Sequence, residues 1–186
     1  MLYLIVIIAA NVVIAAVNAM MGAELWRALL ESALATVSVI AVDGIFAFLI
    51  RRLPESWFSP RAKAFAVSKK EARLYRKLKI NKWKKHVPEL GGFTNFHKSS
   101  LKSTTDADYL RRFILESNYG VAIHVANVIT GILIILLPFC STPSIAIPVA
   151  GVNAVLSFLP VMILRANTPA LMLLYNKSQN SNQIKL

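Results

Sequence analysis

Residues Leu2 to Met21 run for twenty positions without a charged side chain. About twenty helical residues cross the hydrocarbon core of a bilayer, and lipid offers no partner to an unbonded backbone, so such a run is confined to a helix. Val17-Asn18-Ala19 loosely resembles a signal-peptidase site. However, no basic residues precede the run, and it is too long for the apolar centre of a secretion signal, so we expect a retained span. Asn11 and Asn18 lie seven apart on one helical face, a spacing that predicts packing against a neighbouring helix.

Three more apolar runs follow, at about 29–50, 118–139 and 145–164. Hydrophobic residues make up 56% of the chain, above the roughly 45–50% of soluble domains, which points to lipid rather than to a large core. The expected fold is therefore an all-α membrane protein with four transmembrane helices, residues 1–186 forming one membrane domain. The short link at 22–27 makes the second span return antiparallel to the first. The fourth contains Pro148, Gly151, Asn153 and Pro160, which predict a kinked helix. Arg165 to Pro169 is read as its end, with 170–175 lying along the surface.

Charge is concentrated. Of 21 Lys and Arg, 17 fall in 51–118, a basic segment between the second and third spans. The excess of cations places the loop 51–117 in the cytoplasm, and with it both termini and the tail 165–186, in a multi-pass protein of the cell membrane. From Arg61 to Lys85 there are eleven cations and one acid, Glu71, interleaved with Leu74, Tyr75, Leu78 and Trp83. That pattern predicts a basic amphipathic helix on the headgroups, with anionic membrane lipids as partners. No nucleic-acid motif accompanies the charge, so nucleic acid is not expected. Cys140 is the only cysteine, which excludes an intrachain disulfide and a cysteine-built metal cluster. No P-loop, dinucleotide fingerprint, nucleophile elbow or zinc helix is present, so neither a cofactor nor a metal is expected. Four spans without an internal repeat argue against a transporter.

The ionisable residues worth chemical attention gather near the cytoplasmic boundary. Asp43 lies seven residues before Ile50, roughly 10 Å into the second span, and His124 lies roughly 8 Å into the third. Groups at such depth face a partner or a cavity, and at matching depth these two could pair. Glu116, eight residues before His124, falls at headgroup level and within i,i+4 reach of Arg112. The window Lys82 to Phe93 adds His86 and Glu89, set in a turn by Pro88. A histidine oriented by a carboxylate can take the proton of a hydroxyl that attacks an acyl carbonyl. The polar stretch 95–108 reads as a loop, with Asp106 or Asp108 capping the helix that resumes at Tyr109. These residues alone lead to a membrane-interface enzyme or a lipid binder.

Several blocks together resemble a known family. They are Tyr75-Arg-Lys-Leu-Lys-Ile-Asn-Lys-Trp83-Lys84-Lys-His-Val-Pro-Glu89, then Gly91-Gly92-Phe93 with Lys98 and Leu101. After them come Tyr109-Leu-Arg-Arg-Phe-Ile-Leu-Glu116 with His124 downstream, and Arg165-Ala-Asn167-Thr-Pro169. In order and spacing, over roughly 57–170, they are similar to the small membrane acyltransferases typified by glycosyl-4,4′-diaponeurosporenoate acyltransferase, an enzyme of carotenoid biosynthesis. Between Glu116 and His124 the chain departs from that pattern, with Asn118, Tyr119, Gly120 and Val121.

The resemblance implies transfer of a fatty acyl group to a hydroxyl of a glycolipid or similar amphiphile at the inner leaflet. It implies His124 as base, oriented by Glu116 or Asp43, with His86 and its neighbour Glu89 in reserve. Lys84, Lys98 and Arg165 would hold the phosphates of an acyl donor such as acyl-CoA. Trp83 and Phe93 would seat the lipid acceptor, with Gly92 and Asn167 completing the binding set. The alternative from another class is a non-enzymatic lipid-binding or assembly subunit. A membrane methyltransferase would need a nucleotide pocket for which no signature is present.

Overall fold

The computed structural model describes residues 2–87, 101–133, 136 and 142–183. Every regular element among them is helical: α1 (Leu2–Met20), α2 (Leu25–Arg51), α3 (Lys69–Lys77), α4 (Ile80–Trp83), α5 (Ala107–Leu133) and α6 (Pro143–Gln183). Short 3₁₀ turns occupy Glu55–Phe58, Lys63–Phe65 and Lys84–His86. The chain divides into two compact units, residues 1–50 with 123–158 and residues 51–122 with 159–186.

Among the described residues, three helices are long and apolar enough to cross a membrane, over Tyr3–Met20, Leu25–Arg51 and Pro143–Asn180. The expected span at 118–139 falls on α5 as far as Leu133 and then largely outside the described residues. Helix α5 is not among the three, and its first turns carry Asp108, Arg111, Arg112 and Glu116.

In the first unit the link between α1 and α2 is shorter than expected, only residues 21–24. Gly22 makes this possible with φ +98°, a left-handed conformation that lacks steric cost only for glycine. Its N–H bonds to the Ala19 carbonyl and that of Ala23 to the Asn18 carbonyl, the paired bonds of a glycine helix stop. Helix α2 then starts at Leu25, so Arg27 and Glu31 belong to its first turns and pair with each other at 2.9 Å. The core consists of small and branched side chains from α1, α2 and α6, among them Ala15, Ala28, Ala35, Val39, Ala146 and Val149. Small residues let backbones approach where no water drives the helices together.

Neutral polar pairs tie these helices. Asn11 Oδ1 accepts from Ser32 (2.6 Å) and Thr36 (3.1 Å). Asn18 Nδ2 donates to the Ser144 carbonyl (3.2 Å), and Ser144 Oγ donates back to Asn18 Oδ1 (2.5 Å). Both asparagines therefore pack between helices, as their spacing predicts. The Ser144 bond also explains how α6 carries Pro148. A proline has no N–H for the carbonyl four residues earlier; here that carbonyl belongs to Ser144, and Asn18 supplies the missing donor.

The second unit corrects two expectations. Helix α6 does not end at Arg165–Pro169, and 170–175 is not a separate surface piece, because one helix runs unbroken to Gln183. The turn beyond Pro169 is held by tertiary packing, with Leu171 buried on Phe113 and Ile114 and flanked by Tyr109, Met172 and Tyr175. Packing of this kind outweighs local propensity. Nor is 61–85 one amphipathic helix. Helix α3 stops after Lys77, and Lys79 takes a left-handed conformation with φ 52° before α4 begins. The N–H groups of Leu78 and Lys79 close this end on the carbonyls of Leu74 and Arg76. Of the two candidate caps on α5, Asp106 is the one that caps, accepting from the N–H of Asp108 (3.0 Å) and Tyr109 (3.1 Å).

Candidate functional site

The second unit gathers charged side chains around the lower half of α6. Ser68 caps α3 by accepting from the Glu71 N–H at 3.1 Å, which fixes Glu71 in the first turn. Its carboxylate faces α6, where Arg165 grips it with two bonds, Nε to Oε1 at 2.5 Å and Nη2 to Oε2 at 2.9 Å. Such a fork is stronger and more directional than a single ionic contact. Tyr75, one turn along α3, donates its hydroxyl to Glu71 Oε1 at 2.6 Å, and Arg165 Nη2 also reaches the Ala66 carbonyl at 3.2 Å. The side chains of Arg165 and Glu71 are only 18% and 23% exposed, so water screens the pair weakly.

The electrostatics follow from this packing. The Arg165 bonds hold the Glu71 carboxyl below its ordinary range, against the opposing effect of burial, with Tyr75 adding to the shift. Burial, and then the Glu71 anion beside it, push the Tyr75 phenol up to about 12. Both groups thus keep one protonation state across the working pH range, which suits a structural hinge rather than a proton shuttle.

On α6, two residues from Arg165, Asn167 accepts from Lys84 Nζ at 3.0 Å. Lys84 opens the 3₁₀ turn that follows α4, and it is half-buried. An ammonium has three donors, so the bond to Asn167 fixes the head while two remain for a ligand. Trp83, beside it, donates Nε1 to the Leu78 carbonyl at 3.1 Å, which keeps the indole against the α3–α4 turn. His86 is exposed at the end of the same turn.

A second ionic contact lies on α5. Glu116 Oε2 accepts from both terminal nitrogens of Arg51 at 3.2 Å. The Arg51 guanidinium also lies 5.7 Å from the centre of the Tyr119 ring, which stacks on Phe58 at 4.0 Å. The residues that depart from the family pattern have defined work here. Asn118 donates to the Phe58 carbonyl at 2.8 Å and the Tyr119 hydroxyl to the Leu53 carbonyl at 3.1 Å. Together they hold segment 53–58 on α5.

Of the remaining sequence candidates, Asp43 and His124 belong to the first unit. Asp43 accepts at 3.5 Å from Thr130, whose closer bond is to the Ala126 carbonyl at 3.0 Å. Asp43 is thus at the level of Thr130, six residues past His124 and roughly 9 Å further along α5. Asn153 donates to the Asn127 carbonyl at 3.0 Å, and His124 is half-buried one turn before Asn127. Glu89, Gly92, Phe93 and Lys98 lie outside the described residues.

Glu71 and Tyr75 are the members that sequence reasoning did not single out. Their signals were a lone acid among eleven cations, a Ser-x-x-Glu cap at Ser68, and a tyrosine one turn on. The family of glycosyl-4,4′-diaponeurosporenoate acyltransferases (CrtO) matches the chain over residues 54–177, a stretch that holds Glu71, Tyr75, Lys84, Glu116, Arg165 and Asn167. Comparison with curated proteins and with solved structures finds no match.

Proposed function

The chain belongs to the glycosyl-4,4′-diaponeurosporenoate acyltransferase family, and from that membership we propose that it transfers a fatty acyl group to a sugar hydroxyl of a glycosylated lipid at the inner leaflet. The observation that carries this reading is the match over 54–177, which takes in every ionic and amide contact described around α3, the 84–86 turn and residues 165–167. The donor in this reading is acyl-CoA or a similar activated acyl group. Lys84, anchored by Asn167, presents its remaining donors to a donor phosphate. Arg165, already matched by Glu71, acts as a positioning residue that ties α3 to α6. Trp83 seats apolar parts of the acceptor at the interface.

His124 is the base in this proposal, as the downstream histidine of the family pattern. Its imidazole takes the acceptor proton as the hydroxyl oxygen bonds to the acyl carbonyl carbon. The tetrahedral adduct then collapses with cleavage of the carbonyl–sulfur bond, and the proton passes to the departing thiolate. The exposed basic residues of α3, Lys69, Lys70, Arg73, Arg76 and Lys77, hold the enzyme on anionic lipid.

The test uses the full chain in lipid nanodiscs with labelled acyl-CoA and a glycosylated lipid acceptor. Transfer by wild type with a roughly 10²–10⁴-fold loss in His124→Ala is expected for a general base. For Lys84→Met, a rise in KM for the donor of roughly 10-fold is expected from the loss of a charge-assisted bond. A folded His124→Ala protein that transfers at the wild-type rate removes His124 from the mechanism. No transfer by wild type, with function abolished only by charge reversal across 69–85, selects the lipid-binding subunit instead.

A further inference from the structure

Within the first unit, helices α1, α2 and α6 enclose a narrow groove of about 40 Å³. Ala10 and Ile14 of α1, Val39 of α2, and Val149, Val152 and Leu156 of α6 form its apolar walls. The spacing 149, 152 and 156 is that of one helical face. From Val149 to Leu156 is seven residues, so the groove runs roughly 10 Å along α6. Ile40 also lines it and is exposed, which leaves the groove open on the side of α2. Three polar side chains reach the groove, and all have protein partners. Asn11 donates to the Ile7 carbonyl at 2.9 Å and accepts from Ser32 and Thr36, while Asn153 donates to the Asn127 carbonyl. With these groups turned to their own bonds, the walls offer little to water and dispersion contact to an apolar guest. A cavity that admits benzene measures about 150 Å³. At its smaller volume this groove suits a single unbranched chain and not a ring.

One end of the groove is level with His124. On α5, His124, Asn127 and Gly131 follow at i, i+3 and i+7, which puts them on one face. That face meets Asn153, which bonds to the Asn127 carbonyl and against which a Cβ at Gly131 would collide. Helices α5 and α6 run antiparallel, since Asn153 bonds to Asn127 while Leu171 packs on Phe113. His124 lies one turn back from Asn127, and Leu156 lies one turn on from Asn153. A chain whose carbonyl stands at His124 thus enters beside Leu156 and runs toward Val149. Ala10, Ile14 and Val39 precede the residues that the family match covers, so membership does not assign them.

We propose that this groove holds the methylenes nearest the carbonyl in the donor's fatty acyl chain, an assignment that rests on the acyl-transfer reading for the role of His124. Ala10 and Val152 set the length and width of chain that it accepts. They take no part in bond making.

The test uses the full chain in nanodiscs and decanoyl-CoA carrying a diazirine at its chain end. After irradiation, labels on peptides spanning 7–14 and 149–156 that excess hexadecanoyl-CoA prevents support the proposal. Labels confined to other segments overturn it. So does labelling of these peptides by a diazirine phosphatidylcholine that hexadecanoyl-CoA does not displace, which assigns the groove to a bilayer lipid. Steady-state assays then compare hexadecanoyl-CoA with butyryl-CoA. Ala10→Leu and Val152→Phe narrow the groove from α1 and from α6. Each should lower the ratio of the two kcat/KM values roughly tenfold, the effect of about one methylene in an apolar pocket. Thermal unfolding checks each variant, and label mapping on wild type decides the matter where a variant does not fold. A ratio that stays at the wild-type value in both folded variants overturns the proposal. A wild type labelled in the groove, with competition, that transfers nothing keeps the acyl groove and removes the acyl-transfer reading.

Discussion

In the unit formed by residues 1–50 and 123–158, polar side chains meet mostly as neutral pairs, Asn11 with Ser32 and Thr36, Asn18 with Ser144, and Asn153 with the Asn127 carbonyl. In the unit formed by 51–122 and 159–186 they meet as ions, Glu71 with Arg165 and Glu116 with Arg51. The two kinds of contact carry different costs in different media. An amide or hydroxyl held inside a membrane loses little when it finds one partner, whereas a charge there is costly even when paired. At the interface, water and headgroups lower that cost, and a forked ion pair supplies direction that an amide does not. The first unit is therefore joined by many weak, replaceable contacts, and the second by a few that fail when one member is removed.

The sharpest way to break this contrast is Glu71→Gln. It leaves the Arg165 cation half-buried without its counter-charge, and we expect a loss of about 2 kcal/mol, below the range for fully buried pairs because both side chains keep some exposure. Replacing both residues by glutamine should recover part of it. The pH dependence carries the same signature. Because the folded pKa of Glu71 is depressed, its contribution is complete above the ordinary glutamate value of about 4.3. It is lost as pH falls through the lower folded value. Unfolding followed between about pH 6 and pH 3 should show an acid limb that is flatter in Glu71→Gln.

The first unit should yield less. A Cβ at Gly131 would collide with the Asn153 side chain, so Gly131→Ala must displace the bond from Asn153 to Asn127, at about 1–2 kcal/mol. Asn18→Leu should cost about 1 kcal/mol, near the upper end of interhelical hydrogen bonds in membranes. Adding Pro148→Ala should return part of that loss by giving the Ser144 carbonyl a helical donor. If Asn18→Leu proves as damaging as Glu71→Gln, the contrast between the units fails. Smallest, and opposite in sign, is Lys79→Gly, which relieves a left-handed lysine and should raise stability by roughly 0.5–1 kcal/mol. Each stability change is read from denaturant or thermal unfolding in one detergent.

How far the sequence revealed this depends on whether the deciding force is local. Helix α1 was legible because a charge-free run of twenty residues has few alternatives in lipid, and α2 because only Glu31 and Asp43 interrupt the apolar run at 29–50. Asn11 and Asn18 were legible as packing residues because their spacing selects one face. The course of α6 past Pro169 was not, since Arg165 to Pro169 has the composition of a helix end and the contact that overrides it, Leu171 on Phe113, comes from a distant segment. The break at Lys79 was not legible either, because no glycine or asparagine marks the left-handed position. At the site, Lys84, Arg165 and Asn167 were chosen through the family resemblance. That Lys84 would bond to a residue 83 positions away could not be read from spacing. Glu71 was visible as the one acid in a basic stretch, yet its partner lies on another helix.

The bond between Asn18 and the carbonyl that Pro148 leaves open has a consequence for synthesis. Asn18 enters the bilayer with α1, whereas Ser144 lies 126 residues later in the chain. In that interval the amide needs an internal partner, and the Ile14 carbonyl on its own helix, 2.8 Å away, provides one. Insertion of the last helix then adds a second acceptor without breaking the first. The order in which the ribosome delivers the helices thus leaves the Asn18 N–H bonded at every stage, while its Oδ1 gains its donor, the Ser144 hydroxyl, with the last helix.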